Sequence, residues 1–208
     1  MQILLLNKNL LYLFTALLFF QVTYTAKAAE INLLNQKEIS ITDSIEFKDQ
    51  KILLELLKAN PEVERIVFID SYSGYPLKGF DLADIIIDFE LDTHVLDLCS
   101  GECIAAFLGG NKRTLERGAK IYFKYIGYTA EALREHSKTE WFKSDYEDFA
   151  DYAEYIYKEG RSEIVDYFSL MTEKDVKPKF AIETLVNGLE DWWTPRRSVL
   201  IEANFLTE

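Results

Sequence analysis

Histidine and cysteine are scarce in this chain, with two of each in 208 residues, and basic residues are outnumbered, 23 Lys and Arg against 35 Asp and Glu. The first scarcity argues against a structural zinc centre, which takes about four nitrogen or sulfur ligands, because neither cysteine has a histidine beside it. The second leaves a formal net charge of -12. That excess repels phosphate backbones and anionic lipid heads, which argues against nucleic-acid binding and against peripheral membrane binding, and it favours a basic partner. A phosphate-binding glycine loop, a metal-ligand cluster, a basic aromatic strip, an internal repeat and a low-complexity segment are all missing from the sequence, so neither a metal nor another cofactor is implied.

What is present begins with Leu10 to Phe20, an apolar run of the length found in secretory leaders, followed by polar residues and Ala26-Lys27-Ala28. The pattern predicts a signal peptide over residues 1–29, cut after Ala28 or Ala29. The alternative is an uncleaved anchor, but Asn7 and Lys8 interrupt the apolar stretch and a spanning helix needs about 20 apolar residues. No integral membrane segment is expected after cleavage. Residues 30–208 suit one domain, large enough to bury most of its apolar surface. Both cysteines survive leader removal, in a compartment where disulfides persist. At a spacing of four, Cys99 and Cys103 either close the turn between them or remain two buried thiols; both readings stay open.

The order of elements points to an α/β domain. Ile31 to Ile45 alternates loosely and predicts one or two strands with Asp43 in the turn between them, and Asp49 to Lys58 repeats leucines at helical spacing until Asn60-Pro61 stops it. Ile66-Val67-Phe68-Ile69 reads as a buried parallel strand, broken by Ser71-Tyr72-Ser73-Gly74 ahead of an amphipathic helix from Leu77 to Phe89. Val95-Leu96-Asp97-Leu98 is the next strand, and Cys99-Ser100-Gly101-Glu102-Cys103 turns it into the apolar helix Ile104 to Leu108. Gly109-Gly110 and a basic stretch, Asn111 to Arg117, lead to the strand Ala119 to Phe123. Beyond it, Glu131 to about Tyr157 carries an aromatic stripe with an acidic back, Ser162 to Leu170 predicts a further helix, and Thr172 opens another in a capping-box-like pattern. Thr194-Pro195 reads as the start of a last one.

Over the two turns at Ser71 to Asp84 and Cys99 to Cys103, the chain resembles the Clp protease proteolytic subunit and crotonase superfamily, in particular its secreted, bacterial, Clp-like branch. There a Ser-x-Gly-Gly turn precedes the first helix and a Cys-x-Ser-x-Cys turn holds a serine nucleophile at the start of the second. The resemblance implies a mainly parallel sheet flanked by helices, a helical C-terminal region, and a periplasmic location. It extends over nearly all of residues 30–208, the stretch Asp191 to Thr207 being similar to the family's tail.

At the site the resemblance keeps the platform and loses the reagents. Gly74 falls on the second glycine of the first turn, whose amide would face an oxyanion, and Ser73 replaces the first. The nucleophile position is Gly101, which has no side chain to attack with. Where family members commonly carry a histidine, the chain has Lys124, while His94 and His136 lie elsewhere and read as exposed or capping residues. The triad acid is unassigned, although Asp191 lies near the expected tail position. These departures imply a binding or assembly protein without ordinary serine-hydrolase catalysis, its cleft formed by Ser73, Gly74, Gly101 and Glu102 and open to a peptide or protein ligand. The rival reading is a serine peptidase or hydrolase with Ser100 as a displaced nucleophile and Lys124 as its base, since signal peptide peptidases of the superfamily use a Ser-Lys dyad. In a crotonase-like enzyme Glu102 would instead transfer protons to an acyl thioester. Superfamily members also form trimers or rings, which makes a homo-oligomer a further expectation.

Overall fold

A computed structural model describes residues 29–46, 48–72, 78–123, 164–190 and 192–208 of the chain. The expected leader up to Ala28, the turn residues Ser73 and Gly74, Lys124, His136, Asp191 and the aromatic stripe of Glu131 to Tyr157 lie outside the described residues.

Among the described residues seven strands form one sheet. An antiparallel hairpin, β1 (Glu30–Asn35) and β2 (Glu38–Ser44), starts it, and every later pairing in the sheet is parallel. The helix α1 (Asp49–Ala59) crosses from β2 to β3 (Arg65–Tyr72), and α2 (Lys78–Asp88) crosses from β3 to β4 (Asp92–Val95). Parallel neighbours need such crossovers because a tight turn cannot return the chain to the same end of the sheet. β3 is long enough to serve two partners in succession: Arg65 to Phe68 pair with β4, and Ser71 pairs with Cys99 of β5 (Leu98–Ser100). Beyond β5, the helix α3 (Glu102–Leu108) leads to β6 (Arg113–Leu115) on the far edge of β4, and β7 (Lys120–Tyr122) pairs with β5.

α3 is the centre of the core. Cys103 to Leu108 are all buried, and Phe107 stacks on Phe205 with ring centroids 5.7 Å apart. A helix apolar all round is stable only where protein surrounds it, and burial of a side chain the size of Phe107 stabilises by about 1.5–3 kcal/mol. On the neighbouring crossovers Leu53 and Leu57 of α1, and Leu82, Ala83 and Ile86 of α2, are buried against the same core. The C-terminal region is helical over 164–173 (α4), Pro178–Glu190 (α5) and Arg197–Glu202 (α6). Phe123 exchanges two backbone hydrogen bonds of 2.9 Å with Trp193, and the rings of Phe123, Phe180, Trp193 and Phe205 close over that end of the sheet.

Arg113 ties this tail down. It points into the protein from β6, only 3 % exposed, and its guanidinium donates to four backbone carbonyls: Phe205 at 2.9 Å, Asn204 at 2.9 Å, Gly110 at 3.1 Å and Lys174 at 3.1 Å. The Arg113 amide donates to Thr207 Oγ1 at 2.8 Å, and the Thr207 amide returns a bond of 3.0 Å to the Arg113 carbonyl. A buried charge is tolerable when its donors are met, and carbonyl oxygens, taking four of the five guanidinium protons, do here what a carboxylate usually does.

Several expectations from sequence need correction. The first hairpin turns at Gln36-Lys37, and Asp43 lies inside β2, where it takes a positive φ of 63° at a register shift between β2 and β3. The run Val95 to Leu98 is two strand ends, because β4 and β5 pair with different stretches of β3. The basic stretch contains β6, a strand that charge alone does not suggest. Thr172 sits inside α4 with its hydroxyl donating to Phe168 O at 2.7 Å, and the next helix starts at Pro178. The last starts at Arg197, two residues beyond Pro195.

Candidate functional site

The second turn forms at the carboxyl end of β5, where parallel α/β sheets collect their ligands. Gly101 joins strand to helix with φ 57° and ψ -125°. An L side chain at that angle crowds the backbone by about 1–2 kcal/mol, so glycine is the residue that forms the bend without strain. The same sharp strand-to-helix bend is what exposes a nucleophile in hydrolases built on an elbow of this kind. At this bend Gly101 presents no side chain.

Cys99 and Cys103 form a disulfide across this bend, with Cα atoms 5.5 Å apart. Of the two readings left open by their spacing, the bridge is the one realised. Both sulfurs lie in the core beneath the turn. Ser100, next to Gly101, is 3 % exposed and pairs in register with Tyr122 of β7. No base among the described residues hydrogen-bonds to its hydroxyl.

Glu102 opens α3 and also touches the start of α2. A methyl carbon built on Gly79 would fall 2.2 Å from the Glu102 carbonyl oxygen and 2.9 Å from its Oε2. Glycine at position 79 thus lets two helix starts abut, and it brings the Glu102 carboxylate to the first turn of α2. The partial positive charge of that end favours an anion, and the protein's own carboxylate occupies the place. Cys99, Gly101, Glu102 and Cys103 are brought together in this way.

A second polar group escaped sequence reasoning. His94 of β4 and Thr114 of β6 face each other in register, His94 Nδ1 lying 2.8 Å from Thr114 Oγ1. The Thr114 hydroxyl also reaches Thr93 O at 3.4 Å, and His94 Nε2 is 3.9 Å from Glu116 Oε2. His94 is thus a half-buried member of the sheet rather than an exposed or capping residue. Burial first, and Arg65 second, hold its imidazole below the ordinary histidine value, against the opposing pull of Glu116, Glu208 and Glu38. The ring is accordingly neutral at neutral pH, and the approach of Glu116 is not a full ion pair. Arg65 itself is held by Glu38, through Nε at 2.7 Å and through Nη2. His94, Thr114, Leu115, Glu116 and Arg117 line a cavity of about 430 Å³, walled on another side by an ion pair of Arg197 with Glu208. It shares no residue with the elbow. Only cross-strand register unites His94 and Thr114, so no local motif could have shown the pair.

Among solved structures, a ClpP1 mutant from Listeria monocytogenes is similar over 83 % of this chain and 90 % of its own, at 10 % identity and a TM-score of 0.53. The fold is ClpP-like. An enoyl-CoA hydratase from Shewanella pealeana aligns over 92 % of this chain and 70 % of its own, at 9 % identity and a TM-score of 0.45. No protein-family model matches the sequence, and no curated protein does. The ClpP-like architecture expected from the two turns, a mostly parallel sheet flanked by helices, is therefore the one the chain adopts. Among the described residues no helix is long and apolar enough to cross a membrane.

Proposed function

We propose that this is a secreted, periplasmic protein of ClpP-like fold that has no ordinary Ser-His hydrolase catalysis and acts as a binding or assembly protein. The observation that carries the proposal is Gly101, which holds the bend of a nucleophile elbow and offers no nucleophile. Glu102 supports it, because a carboxylate at the first turn of α2 competes with any substrate oxygen seeking the same positive end. The disulfide supports an oxidising compartment, in keeping with the apolar run and Ala26-Lys27-Ala28 at the amino terminus. The rival reading, a peptidase using Ser100 with Lys124, gains no support from Ser100, which lies in the sheet without a hydrogen-bonded base among the described residues.

Fluorophosphonate labelling of the purified mature protein, beside Ser100→Ala and Lys124→Ala, tests this directly. The expected result is no labelling of folded protein. Labelling of the wild type that disappears in Ser100→Ala would overturn the reading and make the protein an enzyme with a displaced serine.

A further inference from the structure

We infer that the bond between Ala28 and Ala29 is the point at which the chain is processed, and that the Ala29 ammonium so released is built into the sheet as its first donor. The inference rests on the secretory reading above and narrows it, since the sequence alone left a cut after Ala28 and a cut after Ala29 both open.

Ala29 already belongs to the folded domain. Its amide donates to the Ser44 carbonyl at 2.7 Å, which extends by one residue the ladder in which Glu30 faces Thr42 and Ile31 faces Ile41. Side chains two apart on a strand share a face, and Ala29 and Ile31, each 8 % exposed, both enter the core. The carbonyl that Ala29 holds lies at a demanding place: Ser44 is 4 % exposed, ends β2 and pairs with Tyr72, just beyond the register shift at Asp43. A cut after Ala29 takes both this donor and the buried methyl group out of the fold. A cut after Ala28 keeps both.

The residues before the bond agree with this choice. A leader peptidase reads small side chains at the first and third positions before the bond it cuts. For the bond after Ala28 these are Ala28 and Ala26, whereas for the bond after Ala29 they are Ala29 and Lys27, and a long charged side chain does not suit a pocket made for a small one. The step is a hydrolysis catalysed in trans by such a peptidase. One water is consumed, the C–N bond breaks, and the new carboxyl of Ala28 gives its proton to the new amine of Ala29, which becomes an ammonium. One of its protons keeps the Ser44 carbonyl and the other two take water. The donor is now charged, and a charge-assisted bond is stronger than the amide bond it replaces. Processing thus ties down the head of β1, where an unheld terminus would fray.

The test is expression of the full-length chain in a bacterial host, with intact mass and amino-terminal sequencing of the protein recovered from whole cells. The expected chain starts at Ala29. A start at Glu30 or at any other later residue overturns the inference and leaves the secretory reading standing, whereas a chain that keeps residues 1–28 overturns both. Deleting Ala29 from the full-length chain tests the structural half, because the same cut then leaves Glu30 first and its ammonium one residue out of reach of Ser44. The thermal midpoint should fall by at least about 3 °C, the scale of one charge-assisted bond in a domain of this size. Ala29→Gly, which keeps the ammonium and gives up only the methyl group, should lose less than half as much. A deletion variant as stable as the wild type, or a glycine variant as impaired as the deletion, overturns the role given to the ammonium.

Discussion

Replacing Arg113 by methionine keeps an unbranched apolar stem and removes every donor of the guanidinium. Four carbonyls lose their partner. Those of Phe205 and Gly110 accept in buried geometry, whereas those of Asn204 and Lys174 are only partly buried and can take up water. At about 1–3 kcal/mol for each buried acceptor left unpaired, the first two cost roughly 2–6 kcal/mol. Against that stands the desolvation of the guanidinium itself, which burial already disfavours and which the variant no longer suffers. A net loss of about 3 kcal/mol follows, or roughly 6–12 °C in Tm for a domain of this size. Urea denaturation followed by far-ultraviolet circular dichroism gives the midpoint and the slope. The reasoning requires a lower midpoint at an unchanged slope. A variant within about 1 kcal/mol of wild type would refute it, showing that water replaces the guanidinium at little cost.

Two further outcomes are expected. Replacing both Cys99 and Cys103 by serine should cost about 2 kcal/mol for a loop this short, and reductant should lower the urea midpoint of the wild type similarly but leave the variant untouched; equal midpoints would count against the bridge. Because the folded pKa of His94 lies below its unfolded value of about 6.5, the unfolded chain takes up the proton first on acidification. Stability contributed by the neutral ring is present above about pH 6.5 and falls as pH drops through that value toward the folded pKa, so His94→Asn should flatten this part of the profile. Parallel stability profiles for the two proteins would sink the claim.

The parts of the fold legible in the sequence are those where local pattern and tertiary role coincide. The apolar block Ile66 to Ile69 is a strand because it is buried in a parallel sheet, and the helix of Leu77 to Phe89 shows its inward face as a period. The turn at Cys99 to Cys103 was legible because its residues are contiguous, and its reading as an elbow came from the resemblance to the Clp-like pattern. What stayed hidden depends on pairing at a distance. The break after Val95 is set by β3 changing partners, which leaves no mark in the apolar run from Val95 to Leu98. Asp43 carried a turn signal honestly, since it does take a left-handed angle, but the angle serves an irregularity within β2 instead of reversing the chain. The burial of Arg113 has no local signal, because its partners lie up to 92 positions away. His94 and Thr114 were isolated polar residues until two strands were laid side by side.

The clamp at Arg113 also sets an order of events during synthesis. When β6 leaves the ribosome, three of the four carbonyls that will hold the guanidinium do not yet exist; they arrive 61, 91 and 92 residues later. Until then the arginine must stay in water, and β6 with it, so the sheet edge cannot close around a growing chain. Native packing of this edge is therefore an act of the finished polypeptide, and a chain cut short before Asn204 leaves the guanidinium without the carbonyls that hold it.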